Sequence, residues 1–205
     1  MVRAEQIRPL PASVSTRHGA VAEPLGVAIH AVGRAGNVAG KRVLVNGAGP
    51  IGALVVAAAK HAGAGEVWAA DLSAPALAVA AGMGADRVVD RSAGEELPQD
   101  VDVAFDASGA PRALGDVFLA VVRGGRFVQV GEAPVALGQL VTREIEYVGS
   151  YRFVDEVTDA VQAMADGLDV EPLITHTFGI DEAQRAFETA GDRTTGSSKV
   201  LIELG

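Results

Sequence analysis

Residues Val43-Leu-Val-Asn-Gly-Ala-Gly-Pro-Ile-Gly52 constrain the fold more than any other stretch of the chain. An apolar run passes into three glycines, Gly47, Gly49 and Gly52, and then into an alanine-rich, helix-forming segment. A second apolar run ends in Asp71, nineteen positions after Gly52. This layout predicts a strand, a tight turn and a helix that together hold a dinucleotide pyrophosphate. The carboxylate at the end of the next strand is placed for the adenosine ribose.

Each part has a physical task. Gly47 permits the tight turn, Gly49 clears a side chain from the path of a phosphate, and Gly52 lets helix lie close on strand. The positive helix end at Pro50 and Ile51 attracts the pyrophosphate. Asp71 accepts hydrogen bonds from ribose hydroxyls and repels a 2′-phosphate. The following Leu72-Ser-Ala-Pro-Ala76 offers no arginine to hold one, so the expected cofactor is NAD.

The length of 205 residues suits one good-sized domain plus part of another. A net charge of −9, with no basic stripe, argues against nucleic acid and acidic membranes as partners. There is no cysteine, which excludes disulfides, thiolate catalysis and cysteine-based zinc sites. Met1-Val-Arg-Ala-Glu-Gln6 has no apolar signal-peptide region, and the run Ile51–Ala59 is too short to span a bilayer. A cytoplasmic protein is expected.

Strand and helix signals then alternate, as in a doubly wound α/β fold with a parallel sheet. Residues 1–14 read as a short strand and loop, and 15–35 as a helix with Pro24 in an early turn or at a kink. Strands are expected at 42–46, 66–71, 87–89, 101–106, 125–130 and, near an edge, 144–147. Helices are expected at 50–61, after Ser73, after Pro111, at 153–166 and at 181–190. Extended segments at 172–178 and 199–204 close the chain.

Further segments carry a family pattern. They are Glu23-Pro-Leu-Gly-Val-Ala-Ile-His-Ala-Val32, Phe105-Asp-Ala-Ser-Gly109, Gln129-Val-Gly131, Gly149-Ser-Tyr-Arg-Phe153 and Gly196-Ser-Ser-Lys-Val-Leu-Ile202. With the glycine turn, they make the chain resemble the C-terminal part of zinc-type medium-chain dehydrogenases of the L-idonate and sorbitol dehydrogenase kind.

The resemblance implies a Rossmann domain over 36–168. It assigns 1–35 to a remnant of the catalytic domain with its linking helix, and 169–205 to a segment returning to that domain. It implies that Ile51 packs at the nicotinamide side of the pyrophosphate, that Val130, Gly131 and Glu132 line the nicotinamide, and that Tyr151 and Arg152 approach from the edge strand. Ser108 falls where the family's cleft lies. The resemblance also implies homodimers paired through the edge strand and a polyol or aldonate substrate. An exposed apolar face is expected near 20–35 and 170–180.

Two departures stand out. Ala76 replaces the arginine that sorbitol-type members carry five positions past the aspartate. The zinc-bearing N-terminal domain of the family is not expected in this chain, so zinc is not expected here either. Glu23 is the one remaining candidate from the zinc neighbourhood, equally readable as a carboxylate at a helix start. Of the histidines, His30 reads as a satisfied core or interface residue and His61 as a helix C-terminal charge. His176 borders the substrate cleft by resemblance, and His18 reads as exposed. No spacing nominates three metal ligands. Two functions stay open: the NAD-binding part of a polyol or sugar-acid dehydrogenase, or a nucleotide-binding module without chemistry of its own.

Overall fold

The computed structural model describes Arg3 and residues 6–205. Its centre is a six-stranded sheet in the order β3-β2-β1-β4-β5-β6. The strands are β1 (Arg42–Asn46), β2 (Glu66–Asp71), β3 (Arg87–Asp90), β4 (Val101–Asp106), β5 (Val121–Gln129) and β6 (Glu146–Gly149). Every neighbouring pair is parallel. This is the doubly wound order of dinucleotide-binding folds, in which the winding reverses between β1 and β4.

The helices are α1 (Thr16–Gly19), α2 (Ala22–Arg34), α3 (Pro50–His61), α4 (Ala74–Gly82), α5 (Leu114–Ala120), α6 (Leu137–Arg143), α7 (Glu156–Ala165) and α8 (Ala183–Gly191). Because strand side chains alternate, the sheet divides the core in two. Val43, Val45, Val103 and Phe105 face a large cluster with α2, α3, α4 and α7. Leu44, Ala104 and Phe127 face a smaller one built mainly on α5, with Phe118 edge-on to Phe127 at 4.7 Å. A separate two-stranded parallel sheet, β7 (Ile174–Gly179) with β8 (Lys199–Glu203), packs against α8.

Several expectations need correction. The single helix over 15–35 is two, α1 and α2. Pro24 has no N–H to give a carbonyl one turn back, so a helix must restart just before it, and Pro24 falls in the first turn of α2. Met1, Val2, Ala4 and Glu5, part of the strand expected in 1–14, lie outside the described residues, and residues 6–14 form no strand. β5 begins at Val121, four residues early, and its register slips opposite Val101–Val103. There Gly124 takes φ +73°, which lets the chain bend without ending the strand. β6 starts at Glu146 because Glu144 is the left-handed C-cap of α6, a helix the sequence pattern did not suggest.

The expected apolar face at 20–35 does not exist: Val21, Leu25, Ala28, Ala31 and Val32 are buried against α3 and α7. In 170–180, Ile180 alone is a large exposed apolar residue. His18 is half-buried beside Glu171 rather than free on the surface. Among the described residues no helix is long and apolar enough to cross a membrane.

Candidate functional site at the winding reversal

The glycine turn joins β1 to α3, and each glycine answers a different neighbour. Gly47 has φ +91°, and a Cβ there would lie 2.5 Å from the Ser108 amide nitrogen. A Cβ on Gly52 would lie 1.8 Å from the Gly47 carbonyl oxygen, so the start of α3 sits directly on the turn. A Cβ on Gly49 would meet nothing within 4 Å. Gly47 and Gly52 are therefore demanded by packing, whereas Gly49 borders open space.

Helix α3 starts with Gly49 as N-cap and Pro50 in its first turn, and no side chain caps it. By contrast α1 and α4 are capped by Ser15 and Ser73. The amides of Ile51 and Gly52 thus remain for an anion, at the positive end of a twelve-residue helix.

Asp71 closes the other side. Its Oδ2 accepts from the Ala48 amide at 2.7 Å, inside the glycine turn, and its Oδ1 accepts from the Ser73 amide at 2.8 Å. The carboxylate is held rigidly, with lone pairs left over. Leu72, beside it, is 70% exposed.

At the end of β4 lies a buried polar network. Asp106 is fully buried. Its Oδ1 accepts from Asn46 Nδ2 at 2.8 Å and from the Ser108 hydroxyl at 2.6 Å. Asn46 also donates to Ser108 Oγ at 3.1 Å, while Asp106 Oδ2 has no partner. Ser108 is exposed as a residue, yet its hydroxyl braces the turn through Asp106 and Asn46. Gly47 packs on Ala107 and Ser108, and Gly131 on Gly109, where a Cβ would come within 2.8 Å of the amide nitrogen. The β4 turn thereby joins the glycine turn to the loop after β5.

That loop lines a cleft of about 520 Å³, together with the end of β6. Val130, Gly131, Glu132 and Tyr151 line it, as do Gln129, Tyr147 and Ser150. Gln129 Nε2 donates to the carbonyls of Gly131 and Ala133, and its Oε1 accepts from the Tyr147 hydroxyl at 2.5 Å. Burial, reinforced by the charge of Asp106, pushes the Tyr147 pKa up and keeps it a donor. Arg152 stands just beyond, in the left-handed region at φ +55°, its guanidinium 5.2 Å from the Tyr151 ring centre.

The remaining candidates lie elsewhere. Glu23 is exposed in the first turn of α2. His176 hydrogen-bonds Thr175 within β7 and does not line the cleft. His61 is exposed in the last turn of α3. His30 is part-buried where α2 meets α7 and is satisfied there, its Nδ1 meeting Glu156 Oε1 at 2.6 Å. Among the described residues no three His, Cys, Asp or Glu side chains gather where they could hold a metal ion.

Comparison with known proteins decides the lineage. The profile of the zinc-binding dehydrogenase family matches residues 50–166. The chain belongs to the zinc-binding dehydrogenases. It is 36% identical to the Escherichia coli K12 L-idonate 5-dehydrogenase (NAD(P)+), over 98% of this chain and 62% of that enzyme. The crystal structure of the E. coli L-idonate enzyme superposes with a TM-score of 0.89 over 99% of this chain and 62% of that one. The sorbitol dehydrogenase of Macaca fascicularis is 36% identical over 88% of this chain and 55% of that enzyme. A Sinorhizobium meliloti protein solved with NADP bound is 27% identical, with a TM-score of 0.89 over 99% of this chain and 64% of its own. The chain thus spans a little over half to three-fifths of these family members.

The buried Asn46, Asp106 and Gln129 and the half-exposed Tyr147 were missed from sequence. A signal existed: β1, β2, β4 and β5 each end on a polar residue after two apolar ones, at Asn46, Asp71, Asp106 and Gln129.

Proposed function

We propose that this chain is the NAD-binding part of an oxidoreductase that oxidises a secondary hydroxyl of a polyol or sugar acid, in the manner of L-idonate 5-dehydrogenase. The observation that carries the reading is the uncapped start of α3, with open space at Gly49 and Asp71 bonded to the Ala48 amide. Gly47, Gly49, Pro50, Ile51 and Gly52 would cradle the pyrophosphate, and Asp71 the adenosine ribose. Ser108 would act through the β4 turn. Val130, Gly131, Glu132, Tyr151 and Arg152 would border the nicotinamide. NAD supplies the hydride acceptor. The chain's part is to bind it, orient its ring in the cleft and exclude water there.

Asp71 favours NAD, since a 2′-phosphate would meet a carboxylate held in place by the Ala48 and Ser73 amides. In this reading residues 36–168 form the cofactor domain, and 1–35 and 169–205 belong to the catalytic domain. The protein is cytoplasmic and forms homodimers through the exposed edge of β6.

A second reading, an NAD-binding module without chemistry of its own, is favoured by the lack of three clustered metal ligands among the described residues. The test is titration with NADH and NADPH, followed by energy transfer from Trp68, the one tryptophan. Turnover of L-idonate and sorbitol is then assayed with zinc added. NADH binding tighter than NADPH supports the cofactor assignment, and equal affinities overturn the role of Asp71. The isolated chain should turn over neither substrate; turnover that appears when a zinc-bearing catalytic domain of the family is supplied marks the oxidoreductase part, and none marks the module without chemistry.

A further inference from the structure

The loop Ser150–Asp155 carries Tyr151 and Arg152 from the end of β6 to the start of α7, and it is held at both ends by one face of α2. Gly26, His30 and Arg34 lie four residues apart on that helix, hence on one face. At the entry to the loop, Arg34 Nε donates to the Gly149 carbonyl at 3.2 Å. At the exit, His30 Nδ1 meets Glu156 Oε1 at 2.6 Å. Glu156 Oε2 turns back to accept from the Val154 amide at 2.6 Å and the Asp155 amide at 3.0 Å. Gly26 makes room for this, since a Cβ there would lie 3.2 Å from the Val157 amide nitrogen. Burial works against the Glu156 carboxylate, but His30 and the Val154 amide outweigh it and hold its pKa at about 2.

Between the two anchors the backbone is under tension. Arg152 is one of three non-glycine residues at positive φ among the described residues. Such a conformation is unfavourable for a residue other than glycine and persists where its surroundings over-determine it. The anchors on α2 supply that surrounding.

We propose that His30 and Arg34 are positioning residues: through Glu156 and Gly149 they fix the Ser150–Asp155 loop so that Tyr151 and Arg152 border the nicotinamide end of the cleft. The inference rests on the cofactor reading given above. Neither residue touches the cofactor. They set the loop that does, so their effect is confined to the nicotinamide half, while the adenosine half is held by Asp71 and the glycine turn.

The test compares NADH with ADP, which occupies the adenosine half alone. The variants are His30→Leu with Arg34→Met, and His30→Gln with Arg34 kept. Gln can still donate to Glu156, whereas Leu cannot. The double variant should bind NADH about tenfold more weakly, or about 1.4 kcal/mol, with ADP affinity unchanged, and His30→Gln should stay near wild type. Amide hydrogen exchange at Val154 and Asp155 should speed up in the double variant alone. NADH and ADP weakened equally, or NADH unchanged, would overturn the inference. If the wild-type chain binds neither ligand, the cofactor reading falls; unchanged exchange at Val154 and Asp155 in the double variant sinks the anchoring itself, whatever binds.

Discussion

Replacing Gly52 and Gly49 separately by alanine should split packing from binding. A Cβ at Gly52 would start 1.8 Å from the Gly47 carbonyl oxygen, where real contacts keep at least 3.0 Å, so the carbonyl must retreat by about 1.2 Å. That oxygen belongs to backbone, with no flexible side chain to yield. Moving it disturbs the neighbouring Gly47 amide on Ala70 at 2.8 Å and the Ala48 amide on Asp71 at 2.7 Å. Overpacking costs about 1–3 kcal/mol, and a weakened bond to a charged group adds roughly 1.5–3. Gly52→Ala should therefore cost about 2.5–6 kcal/mol, which lowers Tm by roughly 5–24 °C for a chain of this size.

Gly49→Ala meets nothing within 4 Å, and its φ of −60° and ψ of −178° suit any residue. The change from Gly to Ala at an N-cap costs at most about 1 kcal/mol, or roughly 2–4 °C. Its methyl group instead occupies the space through which a phosphate would approach, so NADH affinity should fall at least about tenfold, near 1.4 kcal/mol. Differential scanning calorimetry and NADH titration on the two purified variants give the comparison. A Gly52→Ala protein that melts within 2–3 °C of wild type, by the scale of about 2–4 °C per kcal/mol, would refute the packing argument. Unchanged NADH affinity in Gly49→Ala would refute the cofactor placement.

Other outcomes are expected. Asp71→Ala should narrow the NADH over NADPH preference in competitive titrations, and should also loosen the turn by freeing the Ala48 amide. Tyr147→Phe leaves the buried Gln129 oxygen without its donor and should cost about 1–3 kcal/mol in urea unfolding. Glu171 is held at about 2 by Arg17 first and His18 second. A lowered folded pKa contributes stability above the unfolded value of about 4.3 and loses it as pH falls toward 2. The Tm gap between wild type and Glu171→Gln should therefore close between pH 5 and pH 2, both taken as approximate bounds of that window. Glu171's side chain is 49% exposed, so the gap at neutral pH corresponds to no more than about 1 kcal/mol.

What the sequence made legible follows from where its signals are local. Arg42–Asn46, Pro50–His61, Glu66–Asp71 and Val101–Asp106 fall at the expected bounds. Each is bracketed by its own chemistry: Pro50 can only open a helix, and the strands stop on polar residues. The Ser73 cap is present, with its hydroxyl accepting from Ala76. The misplaced sheet strands lie toward the β6 edge, where tertiary contacts decide. The start of β5 depends on the bend at Gly124, and that of β6 on Glu144 in a left-handed turn. The separate glycine tasks were legible in kind; that Gly47 answers to Ser108 across the sheet was not, because only the parallel pairing of β1 with β4 brings them together. The Ser108 hydroxyl is engaged by Asp106 and Asn46, and no pattern in one chain segment announces the Asn46 partner sixty-two residues away.

The unequal division of the core has a consequence for how the molecule loosens. The face with α2, α3, α4 and α7 is a thick, continuous layer. On the opposite face, α6 contributes one buried side chain, Leu140, while Leu137 and Val141 are 63% and 74% exposed. Lifting α6 therefore releases little apolar surface to water and breaks few contacts. Amides of α6 should exchange through small local openings, whereas those of β1 and β4 wait for the whole domain to unfold. Proteolysis under native conditions should first cut near 134–145. That would leave the glycine turn and Asp71 joined in one fragment while severing them from the edge strand and the loop that carries Tyr151 and Arg152.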